Sequence, residues 1–148
     1  MGLAGDWYNE LGSHMTLVVD GDGGLSGTYC SPVGDATGDH VLAGRYDTDP
    51  PSGEGTTVGW AVSWSDDASS TTAWGGQYFD DDSGERIITN WLLTSSTTAD
   101  SVWESTNIGN DTFTRDDPSD AQIAKARVMS VCSPRLEHIV AKKKKKSH

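Results

Sequence analysis

Apolar and polar side chains alternate along most of this chain, and turn-forming residues interrupt the alternation at regular intervals. A period of two belongs to a strand, because residues two apart share one face of a sheet. Trp7, Asn9 and Leu11 share a face in the first such stretch. So do Tyr29 with Ser31, Trp60 with Val62 and Trp64, Ser70 with Thr72 and Trp74, and Trp91 with Leu93.

Turn chemistry cuts this pattern into eight segments. The first strand is expected over about 7–11, closed by Gly12-Ser13, and the second over about 15–19. The run Asp20-Gly21-Asp22-Gly23-Gly24 that follows is a strong hairpin signal. A third strand spans about 25–31, before a longer loop opened by Pro32-Val33-Gly34-Asp35, and a fourth spans about 41–47. Further strands are expected over about 57–65, 71–79 and 86–94, and Trp103 introduces an eighth that continues through Ile108, Asp111 and Phe113. Short strands in unbroken succession predict an all-β fold, an eight-stranded antiparallel up-and-down barrel that removes sheet edges by closing on itself. The barrel is expected over residues 1–115 and a C-terminal extension over 116–148. In the extension, Ser119 with Gln122 three residues on forms a capping box that predicts a short helix over 121–129. A mobile, lysine-rich tail is expected beyond Cys132-Ser133-Pro134.

A face meant only for packing would be Val, Ile and Leu throughout. Here Asn9, Ser13, Tyr29, Ser31, Trp64, Thr72, Trp74, Trp91 and Asp111 mix large aromatics with hydroxyls, an amide and a carboxylate. An eight-stranded barrel is just wide enough to be filled by side chains or to hold one small ligand. Polar groups in a dry interior are costly unless something hydrogen-bonds to them, so the polar residues favour the ligand. Trp7 and Trp60 follow the same alternation but are expected to be plain packing.

Composition narrows the function further. With 148 residues the chain is one domain, and 22 acidic against 11 basic side chains give a formal net charge of -11. Lys142 to Lys146 supply five of those basic residues and read as a solvated tail or an added sequence. So acidic a surface repels phosphate backbones, which argues against nucleic acid. No apolar stretch approaches the length that crosses a bilayer, which argues against a membrane span. His14, His40, His138 and His148 fall outside the lumen set and lack metal-ligand spacing. Cys30 should point away from the lumen, since Tyr29 and Ser31 point in, so a Cys–His nucleophile is not expected. An amidohydrolase using Asp111 as base would need a nucleophile or metal beside it, and none is apparent. Asp20-Gly21-Asp22-Gly23 looks superficially like a calcium loop, but its twelfth position is Ser31 rather than Glu. Arg45-Tyr46-Asp47 is explained by a strand end, and the sequon Asn110-Asp111-Thr112 contains a residue expected to be buried.

Seven stretches, in order, carry a resemblance: Asp6-Trp-Tyr-Asn-Glu-Leu-Gly-Ser13, Leu25-Ser-Gly-Thr-Tyr29, Gly44-Arg-Tyr-Asp47, Val58-Gly-Trp-Ala-Val-Ser-Trp64, Trp74-Gly-Gly-Gln-Tyr78, Asn90-Trp-Leu-Leu-Thr94 and Asp111-Thr-Phe-Thr114. They cover essentially the whole barrel, and the chain resembles the biotin-binding avidins, especially the bacterial, streptavidin-like type. The resemblance implies a secreted, non-enzymatic protein that needs no cofactor or metal and holds biotin in its lumen. Its signal peptide would be absent from this chain, since Met1 to Gly5 lacks the charged and apolar regions of one. It further implies that Asn9, Ser13 and Tyr29 donate to the ureido oxygen of biotin, and that Ser31 and Asp111 accept from its N–H groups. Thr72 would lie near the sulfur and Ser70 near the tail carboxylate. Trp64, Trp74 and Trp91, with Leu11 and Leu93, would wall the site, Val33 would be among the ligand-binding residues, and the backbone amide of Asp35 would meet the biotin carboxylate. The family pattern has Asn where this chain has Asp35, so a second negative charge stands near the ligand carboxylate. Trp103 would reach a neighbouring subunit's pocket, making a homotetramer. Cys30 and Cys132, an even count, are compatible with one disulfide, within a chain or between two. A lipocalin-like carrier is the alternative eight-stranded reading. It predicts a mostly apolar lumen, which Asn9, Ser31 and Asp111 contradict.

Overall fold

Buried and more exposed residues alternate along much of the strand sequence of the computed structural model, which describes residues 2–30, 39–64 and 69–129. The strands are β1 (Gly5–Tyr8), β2 (His14–Val19), β3 (Gly24–Cys30), β4 (His40–Tyr46), β5 (Thr56–Ser63), β6 (Ser70–Asp81), β7 (Gly84–Ser95) and β8 (Thr106–Phe113). Each pairs antiparallel with the next, in the order β1 to β8. The first and last strands then meet: Tyr8 and Thr114 exchange backbone hydrogen bonds of 2.9 and 2.8 Å. That exchange joins the two ends of the curled sheet, as an up-and-down barrel requires.

Registers place the large side chains in rows across the sheet. Gly44, Trp60, Trp74, Trp91 and Gly109 are successive cross-strand partners on five strands. Trp7, Met15, Tyr29 and His40 form a second row. In the first row, glycines flank three tryptophans for a steric reason. A Cβ on Gly109 would lie 2.2 Å from Cζ2 of Trp91, so the missing side chain gives the indole its room.

One end of the barrel is plugged by the segment before β1. Leu3 is 1% exposed, and the buried Trp7 indole donates to its carbonyl at 2.8 Å. Leu17, Leu25, Ile87 and Phe113 fill that end. Apolar packing therefore closes the floor, while polar residues gather toward the other end.

Three local features differ from the expectation or refine it. The first strand stops at Tyr8, not near Leu11, because Gly12 adopts a positive φ of 81° and Asn9 bonds to Ser13 and Gly12 across a tight turn. Trp103 does not begin the eighth strand: it lies on a 3-10 helix, Ala99–Glu104, and β8 starts at Thr106. The expected helix forms as α1 (Asp120–Met129), and its capping box is reciprocal. Ser119 N–H donates to Gln122 Oε1 at 2.8 Å, and Gln122 N–H to Ser119 Oγ at 3.2 Å. Among the described residues no helix is long and apolar enough to cross a membrane.

Candidate functional site

The turn that ends β1 presents the first polar group of the lumen. Asn9 is 2% exposed, and its Oδ1 accepts from the backbone N–H groups of Leu11 and Ser13 at 3.0 and 2.9 Å. Both bonds fall on the oxygen, so the amide is fixed with its Nδ2 donor free to serve something else. Among the described residues, that nitrogen is buried without a hydrogen-bond partner, and so is the hydroxyl of Ser13. Tyr29 is also fully buried. Buried donors left unmade cost about 1–3 kcal/mol each, which a protein seldom carries without a use.

Asp111 supplies the opposite chemistry from β8. It is 1% exposed, and its Oδ2 accepts from the Trp74 indole at 2.9 Å. The Thr89 hydroxyl holds the Asp111 backbone carbonyl at 3.0 Å from the neighbouring strand. Trp64 donates its indole N–H to Thr72 Oγ1 at 2.8 Å, leaving the threonine proton available for another acceptor. Ser70 and Ser95 face each other across β6 and β7, and both hydroxyls are buried without a hydrogen-bond partner among the described residues.

Aromatic rings pack between these groups. Tyr29 lies 5.0 Å from Trp74 and meets Trp64 edge-on at 5.8 Å, ring centre to ring centre. Trp60 stacks on Trp74 at 5.8 Å and touches Phe113 at 5.7 Å. Leu11 and Leu93 are buried with them. Such rings provide large rigid surface at little ordering cost.

Asn9, Leu11, Ser13, Tyr29, Trp64, Ser70, Thr72, Trp74, Trp91, Leu93 and Asp111 are all buried. Trp103 is not among them: it is 81% exposed on its 3-10 helix. Ser31, Val33, Asp35 and Cys132 lie outside the described residues. Ser95 is absent from the sequence-based set, although the alternation Trp91, Leu93, Ser95 along β7 carries the signal for it. Glu10, turned outward between Asn9 and Leu11, has no such signal, because its partner Thr112 is 102 residues away.

The remaining motifs resolve locally. Asp20 Oδ1 accepts from the N–H groups of Asp22 and Gly24 at 2.9 and 2.8 Å, which makes the aspartate-glycine run a hairpin closure. Tyr46 in Arg45-Tyr46-Asp47 is buried, and so is Asp111 in the sequon. Among the described residues no group of three or more His, Cys, Asp and Glu could hold a metal ion.

Comparison with known proteins agrees with this geometry. The family model described as "Avidin family" matches residues 1–116. Avidin-related protein 4/5 of Gallus gallus is 37% identical over 116 residues, covering 76% of this chain and 77% of that protein. Avidin of Gallus gallus is 35% identical over 118 residues, with the same coverage of 76% and 77%.

Proposed function

The chain belongs to the avidin family, and we propose on that basis that it binds biotin in the barrel lumen, without turnover, one molecule per chain. The observation that carries the reading is a set of complementary polar groups buried inside the barrel. Nδ2 of Asn9 and the Ser13 hydroxyl are buried donors without a hydrogen-bond partner among the described residues, and Asp111 is a buried carboxylate that already accepts from the Trp74 indole. A cyclic urea needs that pairing, with donors to its oxygen and acceptors for its N–H groups. Tyr29 would add a third donor, and Ser31 a second acceptor. Thr72 would meet the ring sulfur, and Ser70 with Ser95 would receive the tail carboxylate. A carrier of apolar ligands would gain nothing from these groups.

Titration of a fluorescent biotin conjugate tests the proposal. Saturation at one ligand per chain is expected, with tryptophan emission changing in step. Absence of saturable binding would end it.

The finer reading includes a homotetramer in which Trp103 enters a neighbouring subunit's pocket. Its support is exposed apolar surface on one side of the barrel. Trp103 is 81%, Ile108 76%, Val102 64% and Leu92 51% exposed, and Leu92 pairs directly with Ile108 across β7 and β8. Apolar patches of this kind mark contacts with other chains. Trp103→Ala is then expected to speed biotin release by about tenfold, the worth of roughly one aromatic contact, at unchanged ligand stoichiometry. An unaltered release rate would remove Trp103 from the site. An exported protein also suits a bond between Cys30 and Cys132; an intact mass showing two free thiols would dismiss that bond.

A further inference from the structure

Among the described residues, the seam between β1 and β8 is closed through the backbone by a single reciprocal rung, Tyr8 with Thr114. In an antiparallel ladder the next rung of that type lies two residues further along each strand. Here that pair is Glu10 and Thr112. The ladder cannot continue through the main chain of Glu10, because the chain has already turned away. Asn9 N–H donates to the Ser13 carbonyl and Asn9 O accepts from Gly12 N–H, each at 3.1 Å. Thr112 N–H finds the Glu10 side chain instead, donating to Oε1 at 3.1 Å. A carboxylate stands where a backbone carbonyl would otherwise be.

This bond occupies a telling position. Asn9 immediately precedes Glu10, and Asp111 immediately precedes Thr112. One hydrogen bond therefore ties together the two segments that carry opposite edges of the lumen network. The second oxygen of Glu10 is buried without a hydrogen-bond partner, so a negative charge is poorly accommodated in the closed seam.

We propose that Glu10 is a positioning residue for the lumen site: its side chain latches the Asn9 and Asp111 segments across the seam, firmly when protonated and loosely when ionised. The ligand part of this inference rests on the biotin reading above. Glu10 opens onto a cavity of about 400 Å³ whose titratable and charged lining groups are Tyr8 on β1, Asp116 after β8 and Lys125 on α1. Asp111 lies on the lumen side of β8. Burial is the largest influence on Glu10 and raises its carboxyl above the usual range, against the hydrogen bonds from its own N–H and from Thr112. The sign follows by linkage. A carboxyl with a higher pKa in the closed seam than in an open, solvated one favours closure as the pH falls through that window, and opening as it rises.

Biotin release measured from about pH 4, at or below the ordinary glutamate pKa, up to about pH 8 on the full chain tests the latch, with Glu10→Gln and Glu10→Ala beside the natural protein. Glutamine keeps an acceptor for Thr112 N–H and cannot ionise. At the alkaline end Glu10→Gln is expected to release biotin about three- to tenfold more slowly than the natural protein, the two rates converging toward the acid end. Glu10→Ala, which removes the rung, is expected to release faster than both throughout. Amide exchange at Thr112 in the ligand-free protein follows the same order, with Glu10→Gln the most protected. A ratio of natural to Glu10→Gln rates that is constant with pH would overturn the charge effect. Glu10→Ala matching the natural protein in both release and Thr112 exchange would overturn the latch altogether. Should the natural protein fail to bind biotin, the ligand reading falls, and Thr112 exchange still decides the latch.

Discussion

Replacing Asp111 by alanine is expected to speed biotin release by about 10²–10³-fold, as truncation of one member of a buried, hydrogen-bonded charged contact typically costs roughly 2–5 kcal/mol. Two losses combine. The ligand N–H forfeits a charged acceptor, and the Trp74 indole, which donates to Asp111 at 2.9 Å, is left buried with nothing to receive its proton. Asp111→Asn separates them, since its carbonyl oxygen can still accept from Trp74 but without the charge. That variant is expected to release about tenfold faster than the natural protein, in line with the roughly twofold greater strength of a charge-assisted bond. The ligand-free Asp111→Asn barrel should lose little, because the amide still accepts from Trp74 while the desolvation cost of a buried carboxylate is relieved. A chase experiment with excess unlabelled biotin measures the rates, and thermal unfolding without ligand measures the rest. Release from Asp111→Ala at the natural rate would show that the acceptor edge lies elsewhere.

Much of the lumen was legible because strand periodicity is local. Trp74, Thr72 and Ser70 stand two residues apart, and no long-range contact is needed to see that they share a face. The same rule extends to Ser95, the continuation of Trp91 and Leu93, which a stricter application of the alternation would have included. Where local rules failed, closure or chain geometry had taken over. Asn9 and Leu11 are buried by a turn, not by a strand, because Gly12 lets the chain curl at a positive φ. Trp103 sits on a 3-10 helix, since Ser95 to Ser105 must bridge β7 and β8 and the Ser95 N–H closes that connection on the Ser105 carbonyl at 2.8 Å. Glu10 looks like an ordinary exposed acidic residue until the two ends of the sheet meet. Only then does Thr112, near the other end of the barrel sequence, become its partner.

Closure also has a second fastening, away from the lumen, and Arg115→Ala is expected to release it. The Arg115 guanidinium lies 3.8 Å from the centre of the Trp7 ring and donates to the carbonyls of Asp6 at 3.0 Å, Ala4 at 3.1 Å and Gly2. Its Nε reaches Glu85 Oε2 at 3.3 Å, and Glu85 in turn accepts from the Tyr78 hydroxyl at 2.9 Å. One side chain just beyond β8 thus holds the segment that carries the floor plug Leu3. The ion pair alone is partly exposed and worth little, but the ring contact and the backbone bonds act on groups packed against a fully buried Trp7. Their loss is expected to cost roughly 2–4 kcal/mol, lowering Tm by roughly 5–15 °C in a domain of this size. Arg115→Lys should recover only a minor part, because an ammonium cannot spread over the indole and reach several carbonyls at once. The effect is also expected to shrink in acid. The Tyr78 hydrogen bond, and after it that from Arg115, hold the Glu85 carboxyl below its usual range. A depressed carboxylate stabilises the fold above its unfolded pKa and loses that contribution as the pH falls through its folded value. The gap between natural protein and Arg115→Ala should therefore narrow below the ordinary glutamate range. Unfolding scans of the ligand-free proteins at equal protomer concentration measure both effects. A Tm within about a degree of the natural value would mean that the plug is held by Leu3 and Trp7 packing alone.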